Sequence, residues 1–254
     1  MVKFGVEIEG IRDRGKPINR NTALRDNFTS KSDGSLNVTA ENYKIFNEPY
    51  TTEIITKIFT DKKAFLKAID KFIKRFSNNG KYELNEVFDF NKSCGCHIHI
   101  SFDKKNNGYF SKNAHFTLLK DIREYYFNKV KNSDTKSKDE ILMHYYRGYA
   151  KKTTAKNMLD GVRYKEFNFC SDNEGTGLEM RGTNILNVKT WKEFKEQMTI
   201  LFETAEYVES VFRKKFTIVK NIKFDENDYN EMVRDREPMI INDEREEFWL
   251  SEDN

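Results

Sequence analysis

Cys94-Gly95-Cys96-His97-Ile98-His99-Ile100-Ser101 is a short apolar run holding two histidines two residues apart. Side chains at i and i+2 of a β-strand share a face. The spacing therefore predicts a strand that presents both imidazoles together, with Cys94, Cys96 and Ile98 on its other side. The same period recurs in charged residues. In Phe4-Gly5-Val6-Glu7-Ile8-Glu9-Gly10, apolar Phe4, Val6 and Ile8 alternate with Gly5, Glu7 and Glu9, the pattern of a half-buried strand with two carboxylates on one face. Thr176-Gly177-Leu178-Glu179-Met180-Arg181 places Glu179 and Arg181 together in the same way, and Thr51-Thr52-Glu53-Ile54-Ile55 carries one more acid among β-forming residues. Gathering carboxylates on a sheet face is costly unless cations neutralise them. Carboxylate and imidazole suit a divalent metal, and neighbouring arginines suit phosphate oxygens.

The chain has 254 residues, enough for one large domain, and its 37% hydrophobic and 14% aromatic content can build a core in which Phe and Tyr dominate. Lys and Arg total 44 against 41 for Asp and Glu, a balance that gives no ground for a nucleic-acid partner. No run approaches the roughly 20 apolar residues of a membrane span, and no signal-peptide pattern opens the chain. The expected location is cytoplasmic, with no membrane partner. Cys94, Cys96 and Cys170 do not make a disulfide framework. Zinc binding by Cys94 and Cys96 with the histidines is chemically conceivable, but alternation sends thiols and imidazoles to opposite faces, so packing is the preferred role for both cysteines.

Residues 11–35, with Gly15, Pro17 and a Ser32-Asp33-Gly34-Ser35 turn, read as a polar loop before a short strand. Phe65, Ala68, Ile69, Phe72, Ile73 and Phe76 recur at helical spacing in 61–78, with Thr60 as candidate cap and Gly80 as the stop. Residues 83–90 lead toward the histidine strand. Further helices are predicted over 112–131, 141–149 and 190–216, and strands over 163–169 and 178–185. Domain boundaries are expected at 1–216 for a catalytic domain and 217–254 for a charged C-terminal appendage. Strands and helices mix without a regular βαβ period or a Gly-rich phosphate loop, which favours an α+β fold with a largely antiparallel sheet.

In order along the chain, G-V-E-I-E, D-G-S-L, E-I-I-T, C-G-C-H-I-H-I-S, R-Y-K-E-F-N and G-T-G-L-E-M-R resemble the amidoligase family. These are carboxylate–amine ligases of the glutamine synthetase and glutamate–cysteine ligase superfamily. The resemblance spans Gly5 to Arg181 and implies a glutamine synthetase-like fold: a curved antiparallel sheet, helices on its outer face and the site on its concave face. It implies ATP and Mg²⁺ (or Mn²⁺) as cofactors, and amide formation through an acyl phosphate. Glu7, Glu9, Glu53, His97 and Glu179 match the family's metal ligands, although Lys57 stands where the family often has proline after the Glu53 motif. His99 matches a residue near the ATP phosphates, Arg181 a phosphate-binding arginine, and Arg163 a group facing the transferring phosphoryl group or the substrate carboxylate. Asn168 would orient Arg163 or the nucleotide. Asp33, a weaker match that turn formation alone would explain, would hold or deprotonate the amine. Arg147 and Lys151 stand between a pocket role and a solvated helix end.

Moving a phosphoryl group between two anions calls for positioning and charge neutralisation, which accounts for a site without a nucleophilic Ser or Cys. Two other readings stay open. One is a metal-dependent hydrolase using the His97/His99 pair, for which only His115 and His144 remain as further ligands and in which the arginines have no task. The other is a non-catalytic nucleotide- or peptide-binding family member. The expected partners are a small-molecule or peptide carboxylate and an amine, the amine being free or delivered by a separate protein. Selectivity is expected in the loops at 11–35, 103–112 and 131–160.

Overall fold

Strand β1 (Lys3–Asp13) organises the molecule, whose structure is a computed structural model describing residues 3–25, 27–101, 116–146, 150–153, 165–168 and 177–219. Phe4, Val6 and Ile8 are buried on one face of β1, and Gly5, Glu7 and Glu9 take the other by alternation. One edge of β1 pairs antiparallel with β3 (Pro49–Thr56), from Glu7 opposite Ile55 to Asp13 opposite Pro49. The other edge takes β5 (Cys96–Ser101) along its first half and the two-residue β4 (Phe88–Asp89) near its end. With β2 (Phe28–Lys31), β6 (Phe167–Asn168) and β7 (Gly177–Met180), the sheet order is β2-β3-β1-β5-β7-β6, with β4 on β1. Each of these pairings is antiparallel, and the sheet is open, with β2 and β6 at its edges. The fold is α+β.

Two helices meet the apolar face of β1. Helix α2 (Lys62–Phe76) follows α1 (Ala40–Ile45) and buries Phe65, Ala68, Ile69, Phe72 and Phe76. The long α5 (Trp191–Val219) contributes Phe194, Met198, Leu201 and Phe202. Phe4 meets the edges of Phe65 and Phe202 at centroid distances of 5.0 and 5.1 Å, and Phe72 stacks on Phe194 at 5.5 Å. Such edge and offset contacts are the favourable aromatic geometries, and they fix which face of β1 turns away from the helices. Helices α3 (Phe116–Lys131) and α4 (Lys138–Met143) lie between β5 and β6 in sequence.

The chain divides into Met1–Val211 and Phe212–Asn254, and every site residue described below lies in the first part. No described helix is long and apolar enough to cross a membrane.

Several expectations change. The loop predicted over 11–35 is shorter, because β1 continues to Asp13 and β2 forms within it. Asp13 is held by the backbone N–H groups of Gly15 and Glu48, at 2.9 and 3.0 Å, while β2 is a polar edge strand recognisable only by its partner β3. Asp61, not Thr60, caps α2 by accepting from the Ala64 N–H at 2.7 Å. Helix α4 begins at Lys138 and ends at Met143, short of the predicted 141–149. Strand β7 ends at Met180 instead of reaching residue 185: Thr183 turns the chain by donating its hydroxyl to the carbonyls of Cys96 and Met180. Cys94 precedes β5 and packs with Ile11, Leu36 and Phe46, apart from Cys96. Burial pushes its thiol up to about 12, which favours packing over metal binding. Arg147, Arg163, Cys170, His115 and the 103–112 loop lie outside the described residues.

Candidate functional site

Strand register draws the polar pairs into one row across the sheet. Lys31 on β2 stands opposite Glu53 on β3, and Glu53 opposite Glu9 on β1. Glu7 faces His97 on β5, His99 faces Glu179 on β7, and Glu179 faces Asn168 on β6. Alternation puts Gly5, Glu7 and Glu9 on the side of β1 that does not meet α2 and α5, so the row occupies the opposite face from the aromatic core. Most of the row is buried; apart from the exposed Lys31 at its end, Glu7 and His99 are its open positions, with side chains 21% and 39% exposed.

Glu7, Glu9 and His97 form the tight centre. One ligand atom from each lies within 4.8 Å of the others, the geometry of a cluster able to hold a metal ion. The imidazole of His97 is buried, and its Nδ1 makes no hydrogen bond although it stands 3.4 Å from Glu7 Oε1 and 3.7 Å from Glu179 Oε1. Glu7 is also 3.2 Å from His99 Nε2. Burial pushes the Glu7 carboxyl up, but its contacts with His97 and His99 outweigh this and hold it well below its ordinary value. In His99 burial lowers the pKa, but the Glu7 hydrogen bond and the charges of Glu179 and Glu7 outweigh it, for a net increase. Glu9 accepts from the Gly95 N–H at 2.5 Å. Burial is nonetheless dominant there and moves its carboxyl upward, opposed by His97 and the Gly95 N–H and reinforced by Glu7 and Asp33.

Gly95 is a steric requirement of this arrangement. A methyl group at that position would run into the His97 ring and stand 2.7 Å from Glu9 Oε2. The C-G-C-H-I-H motif thus supplies a histidine and also the gap beside it.

The flanking acids each have a cationic or amide partner. Glu53 meets Lys31 at 3.0 Å; burial raises its carboxyl despite that ammonium, with Glu7 and Asp33 adding to the rise. Glu179 receives Arg181 Nη1 on one oxygen at 2.6 Å and the Asn168 amide on the other at 2.9 Å. Glu53 and Glu179 belong to the row but stand outside the three-residue cluster of Glu7, Glu9 and His97. Asp33 is in an exposed turn, where it accepts from the N–H and hydroxyl of Ser35 at 2.8 and 2.7 Å. It is close enough to load charge onto Glu9 and Glu53. Lys151 is exposed, and His144 closes α4 without joining the cluster.

Two groups of residues escaped the sequence reading. Lys31 sits in a Thr-Ser-Lys stretch with no motif, and only the β2–β3 register reveals it beside Glu53. Glu166, inside the R-Y-K-E-F-N motif, is fully buried and gripped by Arg123 through two hydrogen bonds of 2.6 and 2.8 Å. Tyr145 donates to it at 3.3 Å and the Thr153 N–H at 3.1 Å. The carbonyl of Glu166 accepts from the Arg181 N–H at 2.8 Å. This bidentate pair fastens α3 to the segment bearing Asn168, to which the Arg181 N–H bonds in turn. An alternating charged residue in a helix, such as Arg123, carries no local sign of that role.

No protein-family model matches the chain, and no curated protein matches it in sequence.

Proposed function

We propose that the protein is an ATP- and Mg²⁺-dependent ligase that joins a carboxylate to an amine through an acyl phosphate, on a curved glutamine synthetase-like sheet. The observation that carries this reading is the continuous row Lys31–Glu53–Glu9–Glu7–His97–His99–Glu179–Asn168, ending beside Arg181 and centred on a three-ligand cluster. Its donors fit a divalent cation. Two carboxylates and an imidazole whose buried Nδ1 is left without a hydrogen bond converge where burial makes uncompensated charge costly. Glu7, Glu9 and His97 would hold Mg²⁺ or Mn²⁺. The bound ion neutralises phosphate charge during phosphoryl transfer.

The chain's own groups divide the remaining work. Arg181 and Asn168, which hold Glu179, would contact phosphate oxygens, and His99, at the open end, would donate to the nucleotide. Arg163 would meet the phosphoryl group or the substrate carboxylate. Asp33, at the rim, accepts the proton that an ammonium must lose before its nitrogen can attack. Among the described residues no histidine besides His97 joins the cluster, which weighs against the hydrolase alternative.

Calorimetric titration with a non-hydrolysable ATP analogue, with and without Mg²⁺, tests this reading without knowledge of the substrates. Binding that requires Mg²⁺ and disappears in the Glu7→Gln/His97→Ala variant supports it. Absence of nucleotide binding alongside retained divalent-metal binding sinks the ligase reading and favours the hydrolase.

A further inference from the structure

Away from the acid row, at the far end of β1, several arginines collect. Arg12 is on the helix-side face of β1, its guanidinium 4.9 Å from the Phe76 ring and 5.7 Å from the Tyr50 ring, with Nη1 donating to the Tyr50 hydroxyl at 2.8 Å. Arg14 lies over the same Tyr50 ring at 4.1 Å. Arg75, adjacent to Phe76 in the last turn of α2, donates to the Thr22 carbonyl at 2.6 Å, and its own carbonyl accepts from Asn19 N–H at 2.9 Å. Those two bonds tie the 19–22 turn to the helix end and bring exposed Arg20 and Arg25 to the cluster. Arg12, Arg20 and Arg25 are near enough to Arg75 that, after burial, their charges are what depress its pKa. Among the described residues, none of these five arginines forms an ion pair with a carboxylate. The buried Nε of Arg12 also makes no hydrogen bond.

Converging guanidinium groups repel one another unless an anion neutralises them. One carboxylate has two oxygens and satisfies a single guanidinium fork. Four or five forks from three segments call for a ligand with many anionic oxygens. We propose that Arg12, Arg14, Arg20, Arg25 and Arg75 form a second anion site, for a ligand carrying several phosphate groups in a row, separate from the metal cluster. The near-neutral total charge conceals it, because the arginines are drawn together by folding from residues 12–25 and from the end of α2. The Tyr50 and Phe76 rings pack against the Arg12 and Arg14 guanidiniums and help to place them at this end of the sheet. The site does not depend on the ligase reading.

The test uses the full chain carrying Glu7→Gln/His97→Ala, without divalent metal, so that the acid row contributes no nucleotide binding. Inorganic tripolyphosphate and a single-stranded oligothymidylate are titrated separately at low salt, and again after adding Arg20→Gln/Arg25→Gln. Those two side chains are exposed, and an unchanged circular dichroism spectrum verifies the fold. A loss of about tenfold or more in tripolyphosphate affinity supports the site and assigns it to small phosphate ligands. The same loss for the oligothymidylate alone, with a shallower salt dependence in the variant, supports it and assigns it to a nucleic-acid backbone. Arginine-independent binding, no binding of either probe, or equal affinity for poly-glutamate would overturn the proposal.

Discussion

Gly95 shows how much one residue decides at this site. Its absent side chain leaves room for the His97 ring, and its N–H holds Glu9 at 2.5 Å. Gly95→Ala is expected to destabilise the protein by about 1–3 kcal/mol, the usual range for overpacking, and to weaken Mn²⁺ binding measured by calorimetry. A variant that binds Mn²⁺ as well as the parent would show that Glu9 and His97 do not act together. The identities of Glu7, Glu9, His97 and His99 were legible because two-residue spacing is a local property. The need for glycine at 95 was not, because the atoms it avoids include those of Glu9, 86 positions away.

At the scale of elements, the start of α5 is a capping box that also ties two segments together. Thr190 Oγ1 accepts from the Glu193 N–H at 3.2 Å, and the Glu193 carboxylate accepts from Thr190 and from the Lys136 N–H at 3.0 Å. Burial pushes the Glu193 carboxyl up, but the N–H of Lys136 and the groups of Thr190 and Lys189 outweigh it, so its value falls below the ordinary 4.5. With a depressed folded value, its stabilisation is fully present above the unfolded value and is lost as pH falls through the folded one. Glu193→Gln is expected to cost about 1 kcal/mol at neutral pH. The melting-temperature gap to the parent should close as pH drops below about 4; a gap that stays constant would mean the carboxylate charge is irrelevant. Helix periodicity located α2 from the spacing of Phe65, Ala68, Ile69, Phe72, Ile73 and Phe76. Strands β2 and β6, with four and two residues, are too short to carry a period of their own.

For the whole molecule, the acid row makes stability depend on cations. Burial raises the Glu9 carboxyl above 4.5 in the fold. The folded metal-free protein therefore retains a proton there that the unfolded chain releases, and stability falls as pH rises from the unfolded value through the raised one. Raising the pH of the metal-free protein from about 5 to 7.5 should lower its melting temperature less in Glu9→Gln than in the parent. Mn²⁺ at about 100 times its dissociation constant should add about 2.7 kcal/mol to the parent alone. Equal metal-induced shifts in parent and variant, read by calorimetric melting, would remove Glu9 from the metal site. The sequence by itself determined which residues share a strand face and which helix faces are apolar, since both follow from backbone repeats of two and 3.6 residues. Only the tertiary structure decided which strand lies beside which. That order aligned Glu9 with Glu53 and His99 with Glu179, brought Lys31 to the row, buried Glu166 against Arg123 and gathered the arginines at the end of β1. These are contacts between distant segments, and they exist only once burial of the aromatic core has made chain closure favourable.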